Sequence, residues 1–413
     1  MNNRIKTDFE NTFKNFLSKK EINLKENFLN KFIKNGFPNK KLENWKFSDL
    51  NQIINKNIGE LSFFNDPNKK HDFDKSIIID QFEHNKIVFV NGNLKLKDFN
   101  FEQKENIEII QTNEINLDMS QKNSLLDLNC AFVNSNYKIV VKKNYLMKKP
   151  LIIYHITNDQ IKSTNINLQL NFEIEKNSSI KVLDIFNDTS EKNFINIFYN
   201  FNLKEDSILK NYKIDCKKNR NIKYSYNNIN QEKNSISENF ILSCSSNFMK
   251  NEINCNLKGK YASAFVNGIL YLDEEKHHEI RTKINHLVEN TKSYQLIKCV
   301  LDENAKAVYQ GKIFVNSEAQ KTDGYQLSKA ILLNKSSEFN AKPELEIYAD
   351  DVKCSHGSAS GSLNENSIFY LRSRGLNYKE AKKLLINGFI LDVIDKITDD
   401  EIKTFVKKTM SLN

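Results

Sequence analysis

Residues 165–174 read NINLQLNFEI, and apolar and polar side chains alternate along this run without a break. Successive side chains of a β-strand point to opposite faces, so the alternation predicts a strand with one buried and one exposed face. Four further segments show similar alternation, at residues 195–203, 253–257, 265–271 and 313–315. The chain from residue 76 to residue 361 is therefore predicted to consist of short strands.

The connections between these strands indicate how they are arranged. No helical pattern interrupts the strands for about 250 residues, and the intervening segments are polar. Gly (11) and Pro (4) are scarce, so the signals of tight hairpins are nearly absent. The number of strands is too large for a small barrel. In a solenoid, which stacks short strands as coils, the connections need polar turns more than tight hairpins. A mainly β, solenoid core is predicted, although no repeat of fixed length is visible.

The first part of the chain has the period of a helix. Large apolar residues recur three or four positions apart in two groups, as the core-facing side of a helix requires. The groups are Phe9, Phe13, Phe16 and Leu17, and then Phe28, Leu29, Phe32 and Ile33. Gly36 and Pro38 follow the second group, as is common where a helix ends. The lone tryptophan, Trp45, is predicted to anchor a core.

The helical period returns after residue 362. Asn364 can cap one helix, and a second is expected from Tyr378 onward. Thr398 and Glu401 have the spacing of a capping box for a last, short helix. Three domains are predicted: an N-terminal helical domain over 1–75, a β core over 76–361 and a C-terminal helical domain over 362–413.

The composition argues against several classes of protein. Hydrophobic residues make up 39% of the chain, too many for a disordered protein. Lys and Arg exceed Asp and Glu by 61 to 52, but the lysines are scattered among acids, so no nucleic-acid partner is expected. No apolar run approaches the ~18 residues of a membrane span, and no signal peptide is visible. We expect a cytoplasmic protein with no membrane partner.

The cysteines and glycines lack the common site motifs. The six cysteines are far apart without a CxxC pair, so they are expected to be reduced thiols, with Cys130, Cys216 and Cys244 in packing or surface roles. The chain has no GxxxxGK[ST], GxGxxG or GxSxG, and Gly311 with Lys312 lacks the rest of a P-loop. We therefore expect no nucleotide bound by this chain.

Residues 349–361, ADDVKCSHGSASG, concentrate groups that can carry chemistry. On an extended segment Cys354 and His356 point to the same face, and thiolate and imidazole are good ligands for iron or zinc. Two ligands do not complete a four-coordinate site, so others would come from elsewhere in the chain or from a partner. A Cys–His catalytic dyad and a purely structural turn remain alternatives. Asp350 and Asp351 are adjacent and point apart, which makes a carboxylate dyad unfavourable.

A second group of histidines, His277, His278 and His286, matches no helical zinc motif. These residues are expected on strand faces or loops.

Several motifs together resemble one known family. Residues 342–357 (KPELEIYADDVKCSHG) resemble the signature of the SufB/SufD scaffolds of iron–sulfur cluster assembly. Residues 311–313 (GKI), 319–326 (AQKTDGYQ) and 369–375 (FYLRSRG) match the same pattern in the right order. Residues 36–47 (GFPNKKLENWKF) look like the entry segment of the SufD branch.

The resemblance implies a right-handed parallel β-helix flanked by helical domains. It implies a non-catalytic scaffold in a complex with a SufB-like paralogue and a SufC-like ATPase, which would contact residues 365–397. His356 first, and Cys354 second, would then lie at the interface with SufB as ligands of a transient iron–sulfur cluster or iron shared with the partner. Asp350 or a backbone carbonyl could orient the His356 ring.

Two other interpretations stay open. The chain could be a SufB-like paralogue that holds the nascent cluster on its own cysteines. From a different class, it could be a β-helix that binds carbohydrate, which would require a groove of aromatics and carboxylates along one face.

Overall fold

The computed structural model describes residues 2–13, 17–66, 72–112 and 122–412. The helices within these ranges are α1 (Asn2–Phe13), α2 (Lys19–Asn35), α3 (Leu50–Asn57), α4 (Ser124–Phe132), α5 (Glu365–Ser373), α6 (Tyr378–Ile394) and α7 (Asp400–Thr409). The strands are β1 (Asn85–Val90), β2 (Asn93–Asp98), β3 (Ile107–Thr112), β4 (Asn136–Val141), β5 (Leu151–Thr157), β6 (Asn165–Ile174), β7 (Ser179–Asp188), β8 (Phe194–Leu203), β9 (Ile208–Asp215), β10 (Ile222–Gln231), β11 (Ile236–Ser243), β12 (Phe248–Leu257), β13 (Ser263–Leu272), β14 (His277–His286), β15 (Lys292–Leu301), β16 (Lys306–Val315), β17 (Thr322–Leu332), β18 (Glu338–Ile347) and β19 (Val352–Gly361).

The strands form a parallel β-solenoid of about eight turns. Odd-numbered strands from β5 to β19 lie side by side in one sheet, and even-numbered strands from β4 to β18 form the other. Each turn therefore contributes one strand to each sheet. The prediction of a mainly β solenoid with helices at both ends is confirmed.

The length of a coil varies, which explains why no fixed repeat is visible in the sequence. In the sheet of even-numbered strands, Ile222 is paired in register with Phe248, 26 residues later, whereas Lys306 is paired with Glu338, 32 residues later. The strands keep their register because the differences in length fall in the turns.

Asparagine and aspartate residues form one corner of the solenoid. Asn144, Asn177, Asp206 and Asn234 all have positive φ and follow successive strands of the even-numbered sheet. Short polar side chains tolerate this left-handed conformation better than other non-glycine residues. The Asn177 Nδ2 group donates to Asn144 Oδ1 at 2.9 Å, and that of Asn234 donates to Asp206 Oδ1 at 2.9 Å. Stacked side chains of this kind let the coil turn without glycine.

Helix α4 corrects the prediction that no helix interrupts the strand region. Its residues are almost all buried, and it covers the outer face of β6 and β8. The Asn129 Nδ2 group donates to the Asn196 carbonyl at 2.8 Å, and Asn196 Nδ2 donates to the Leu125 carbonyl at 2.9 Å. The Asn129 Nδ2 group also lies 3.2 Å from the Leu168 carbonyl of β6. Both faces of β6 are buried, whereas the alternation in its sequence predicts one exposed face.

The N-terminal helices pack on the same sheet. Trp45 is 2% exposed and stacks near Tyr224 and Phe248, with Lys250 Nζ 4.5 Å from its ring centroid. The prediction that Trp45 anchors a core is confirmed. Helix α1 ends at Phe13, and Phe16, which the sequence pattern places in the same helix, lies outside the described residues.

The C-terminal helices cover part of the odd-numbered sheet through an apolar cluster that includes Ile390, Val393 and Ile402. Asn364 caps α5 as predicted, accepting from the Ser367 N–H at 3.1 Å. The cap of α7 is Asp399 rather than Thr398, because Asp399 Oδ1 accepts from the Ile402 N–H at 3.0 Å. Whether 1–75, 76–361 and 362–413 fold as separate domains stays a prediction.

The helices in the described ranges include none that is long and apolar enough to cross a membrane.

Candidate interface site

The C-terminal end of the solenoid is formed by β18 and β19, the outermost strands of their sheets. Strand β19 pairs with β17, and β18 pairs with β16, while no described segment pairs with their outer edges. Each strand has ten residues, so a long row of backbone donors and acceptors is available there. Pro343 lies within β18, and proline in a sheet is confined to edge strands, strand starts or bulges.

Cys354 and His356 lie on β19 and share a face. Their in-register partners on β17 are Gly324 and Gln326, both buried on the inner side of the coil. Parallel strands in register present paired side chains to the same side, so both side chains point toward the solenoid interior. Because no described coil follows β19, this inner face is open at the end of the solenoid.

The thiol of Cys354 is partly buried. It packs beside Ile313, Val315 and Ala349. A Cβ atom at Gly324 would lie 3.3 Å from Cys354 Sγ, so the absence of a side chain there leaves room for the sulfur. Burial raises the pKa of Cys354, and the Gly324 backbone partly offsets this shift. The sulfur would therefore lose its proton when it binds a metal.

The imidazole of His356 is exposed and makes no hydrogen bond to any residue that the structure describes. The neighbouring acids do not hold it: Asp350 and Asp351 lie in the bend before β19, where the Asp351 N–H donates to Gln320 Oε1 at 2.9 Å. Orientation of the ring by Asp350 stays a prediction for the bound state.

Cys354 and His356 do not complete a metal site on their own. Among the residues that the structure describes, no group of three or more His, Cys, Asp or Glu side chains could hold a metal ion. A four-coordinate site at β19 would consequently need ligands from outside the described residues.

Two residues at this end carry roles that the sequence pattern does not reveal. Gln326, opposite His356, is 1% exposed, and neither atom of its amide group has a hydrogen-bond partner among the described residues. Gly311 leaves room for it, because a Cβ there would overlap Gln326 Oε1 and the Tyr309 hydroxyl. Both residues belong to sequence motifs noted above, but only the coiled structure brings them together.

The other histidine group lies within the solenoid, as expected for strand residues. His278 and His286 are fully buried on β14, and His277 Nε2 lies 2.9 Å from Glu279 Oε1. Burial lowers the pKa of His278 and of His286 to about 4. The two rings are therefore neutral structural groups that are shielded from solvent.

Comparison with known proteins identifies the family of this chain. The family model described as "SUF system FeS cluster assembly, SufBD core domain" matches residues 155–389, which run from β5 into α6 and include Cys354 and His356. The chain belongs to the SufBD family.

Individual relatives of the SufBD family extend the match. The iron–sulfur cluster assembly protein SufD of Escherichia coli (strain K12) is 25% identical over 384 residues, covering 91% of this chain and 89% of that protein. A SufBD family protein of Synechocystis sp. is 48% identical over 103 residues, 25% of this chain and 23% of that protein. The chloroplastic protein ABCI7 of Arabidopsis thaliana is 42% identical over 112 residues, 27% of this chain and 24% of that protein. Membership connects the chain to iron–sulfur cluster assembly in the SUF system.

Proposed function

We propose that this chain is a SufD-type scaffold subunit that joins a SufB-like paralogue end to end and shares a transient iron–sulfur cluster or iron with it. The observation that carries the proposal is the open end of the solenoid. There His356 and Cys354 lie on the uncovered inner face of β19, beside two strand edges that no described segment pairs with. The similarity to E. coli SufD along 91% of the chain supports the same assignment.

A paralogue with the same fold is the natural partner for this end. Its last coil would offer strands of matching length to β18 and β19, which would satisfy the free backbone groups. The same contact would bring side chains of the partner next to His356 and Cys354. The partner would then supply the ligands that the described residues of this chain do not provide. The chain acts here as a scaffold rather than as an enzyme, and the cluster is the product that is built.

We further propose that α5 and α6 bind a SufC-like ATPase, which supplies the nucleotide site absent from this sequence. These helices carry exposed apolar side chains: Phe369 is 74% exposed, Tyr370 57% and Leu384 51%. Large exposed apolar groups close together are typical of protein interaction surfaces. Because α5 directly follows β19, movement of these helices would reach the cluster site.

The decisive experiment is anaerobic co-expression of the tagged chain with its SufB-like and SufC-like partners. We expect a complex with one copy of this chain, one paralogue and two ATPase subunits, and no cluster on the chain alone. A cluster assembled on the chain alone would favour the SufB-like alternative. If the chain elutes without partners, the proposed function is wrong.

The role of His356 is tested in the same complex. His356→Ala should leave the subunit ratio unchanged but lower iron and sulfide content by at least about ten-fold, because even outer-shell partners of a metal cost ten- to a hundred-fold in affinity. Lys353→Ala is the matched control, since Lys353 is exposed on the opposite face of the same strand. Equal iron and sulfide in both variants would contradict the proposal.

The helical contact is tested by a second matched pair. Leu384→Asp should abolish retention of the ATPase, whereas Leu24→Asp should not. Leu24 is a comparable control because it is 44% exposed on α2, a helix of the other end of the chain. If the Leu384 variant retains the ATPase, the proposed contact does not lie on α6.

A further inference from the structure

Cys216 and Cys244 form a pair of neighbouring thiols in the middle of the solenoid. Their Sγ atoms are 2.6 Å apart, although 27 residues separate them in the sequence. Each cysteine directly follows a strand, Cys216 after β9 and Cys244 after β11. The last residues of these strands, Asp215 and Ser243, are in register, and the Cys244 N–H donates to the Asp215 carbonyl at 2.9 Å.

This register suits a covalent bond between the two sulfurs. Neighbouring strands lie about 4.7–4.9 Å apart, within the Cα–Cα range of about 4.4–6.8 Å that disulfides occupy. The two side chains already meet, so closing the bond does not require the coils to move apart or change register.

The surroundings distinguish this pair from the other cysteines. Cys130, Cys255 and Cys299 are buried, whereas Cys216, Cys244 and Cys354 are partly exposed. The pair borders the apolar cluster through which α6 packs on the odd-numbered sheet. The hydrogen bond between the two thiols, together with burial, raises the pKa of Cys216.

We propose that Cys216 and Cys244 are a redox-active pair that a hydroperoxide converts into a reversible disulfide. One of the two thiols gives up its proton and attacks a peroxide oxygen as the thiolate. The O–O bond breaks, the displaced alkoxide takes that proton, and a sulfenic acid and an alcohol form. The second thiol attacks the sulfenic sulfur, the S–S bond forms, and the hydroxyl group leaves as water. In total the two thiols lose two electrons and two protons, and the hydroperoxide is reduced to alcohol and water.

The disulfide would join two successive coils beneath the C-terminal helices. It would restrict separation of β9 from β11 at the edge of the cluster on which α6 rests. A dithiol reductant would reverse the bond by thiol–disulfide exchange. The pair would thus make the stiffness of this part of the scaffold depend on the oxidants present.

The test uses the purified full chain treated with tert-butyl hydroperoxide, followed by alkylation, unfolding and digestion without reduction. We expect one cross-linked peptide containing Cys216 and Cys244, lighter by two hydrogen atoms than the reduced pair, and restored alkylation of both after a dithiol reductant. Cys216→Ser should abolish the cross-link and leave Cys244 open to alkylation.

Cys354 serves as the internal reference, because it is also partly exposed but has no thiol partner among the residues that the structure describes. If the oxidant modifies Cys354 while Cys216 and Cys244 remain free thiols, the proposal is wrong. The native chain alone decides this outcome, so the test does not depend on how well the Cys216 variant folds. As a second readout, the oxidised chain should show slower amide exchange across residues 216–244.

Discussion

His278 and His286 are buried histidines with a hydrogen-bond partner at each ring nitrogen. The Ser246 carbonyl can only accept, at 2.7 Å, so His278 Nε2 carries the proton and Nδ1 accepts from the Ser243 hydroxyl at 2.8 Å. His286 is held by the hydroxyls of Thr291 and Ser293 at 2.7 and 2.9 Å. Both environments suit a neutral ring, and a charged ring would have to be accommodated without solvent.

Acid should therefore destabilise the fold in a defined window. Burial lowers the pKa of both rings from 6.5 to about 4, so the unfolded chain binds protons more readily between these values. The stabilisation is complete above pH 6.5 and is lost as the pH falls to about 4. Each ring accounts for up to about 3 kcal/mol of this loss. Urea unfolding at neutral pH and near pH 4 measures it.

Matched variants separate this effect from general acid sensitivity. His286→Gln should reduce the loss between neutral pH and pH 4, because the amide keeps hydrogen-bonding capacity but does not titrate. Thr282→Val, also buried on β14, should cost similar stability at both pH values. An unchanged loss in the His286 variant would contradict the assignment. Titration of Glu279 does not affect this comparison. Burial raises the pKa of Glu279, but Lys250 has the largest opposing effect, and the pKa is lowered to about 2.

Gly311 has a packing role that can be measured. A side chain at this position would overlap Gln326 Oε1 and the Tyr309 hydroxyl inside the coil. We expect Gly311→Ala to lower the free energy of unfolding by about 1–3 kcal/mol, as overpacking of a core does. Gly361→Ala is the control, because no atom lies within 4 Å of its added Cβ. Equal urea midpoints for the two variants would show that the interior can adjust.

At the scale of elements, the start of α7 distinguishes two adjacent candidate caps. Asp399 is 8% exposed, accepts from the Ile402 N–H and pairs with Lys181 Nζ at 2.5 Å. Burial would raise the pKa of Asp399, but these hydrogen bonds hold it below its usual value. Thr398 instead donates its hydroxyl to Glu238 on the exposed surface.

Removing the Asp399 and Thr398 side chains should lower the free energy of unfolding by different amounts. Asp399→Ala should lower the free energy of unfolding by about 1–3 kcal/mol, because it removes the cap and leaves Lys181 without its partner. Thr398→Ala should cost less than about 0.5 kcal/mol, as is usual for an exposed position. Thermal unfolding of the two variants provides the comparison, and a larger loss for Thr398→Ala would restore it as the cap.

The period of the apolar residues was sufficient to predict most helices and strands. It was not sufficient to predict which segments pack on them. The alternation in residues 165–174 correctly predicts β6, and the helical period correctly predicts α2, α5 and α6. The same alternation fails to predict that the polar face of β6 is buried, because α4 covers it and Asn129 on that helix donates to the Leu168 carbonyl of β6. Helix α4 itself is a short apolar run, for which a strand and a buried helix look alike.

The two ends of the whole molecule differ. At the N-terminal end the sheets finish in β2 and β3, strands of six residues that run antiparallel to their neighbours. Strands this short offer few backbone groups for pairing with another chain. At the other end β18 and β19 are ten residues long and parallel to the coil before them. This contrast favours the C-terminal end for a partner.

The candidate site depends on this whole-molecule property. The spacing of Cys354 and His356 correctly predicts that they share a face of one strand. Spacing does not indicate that this face is the inner one, exposed only because the solenoid stops there. The sequence pattern likewise does not predict that Gln326 is buried opposite His356, because the neighbours of Gln326 come from β16 and β19.

The difference between the ends leads to a prediction about amide exchange. Free strand edges exchange rapidly, whereas pairing with a partner's last coil would protect their N–H groups. In the complex with the SufB-like paralogue, residues 338–347 and 352–361 should therefore exchange more slowly than in the isolated chain. Strands β2 and β3 should be unchanged and serve as the internal control. Protection at β2 and β3 instead, with β18 and β19 still exchanging rapidly, would place the partner at the N-terminal end and remove His356 from the interface.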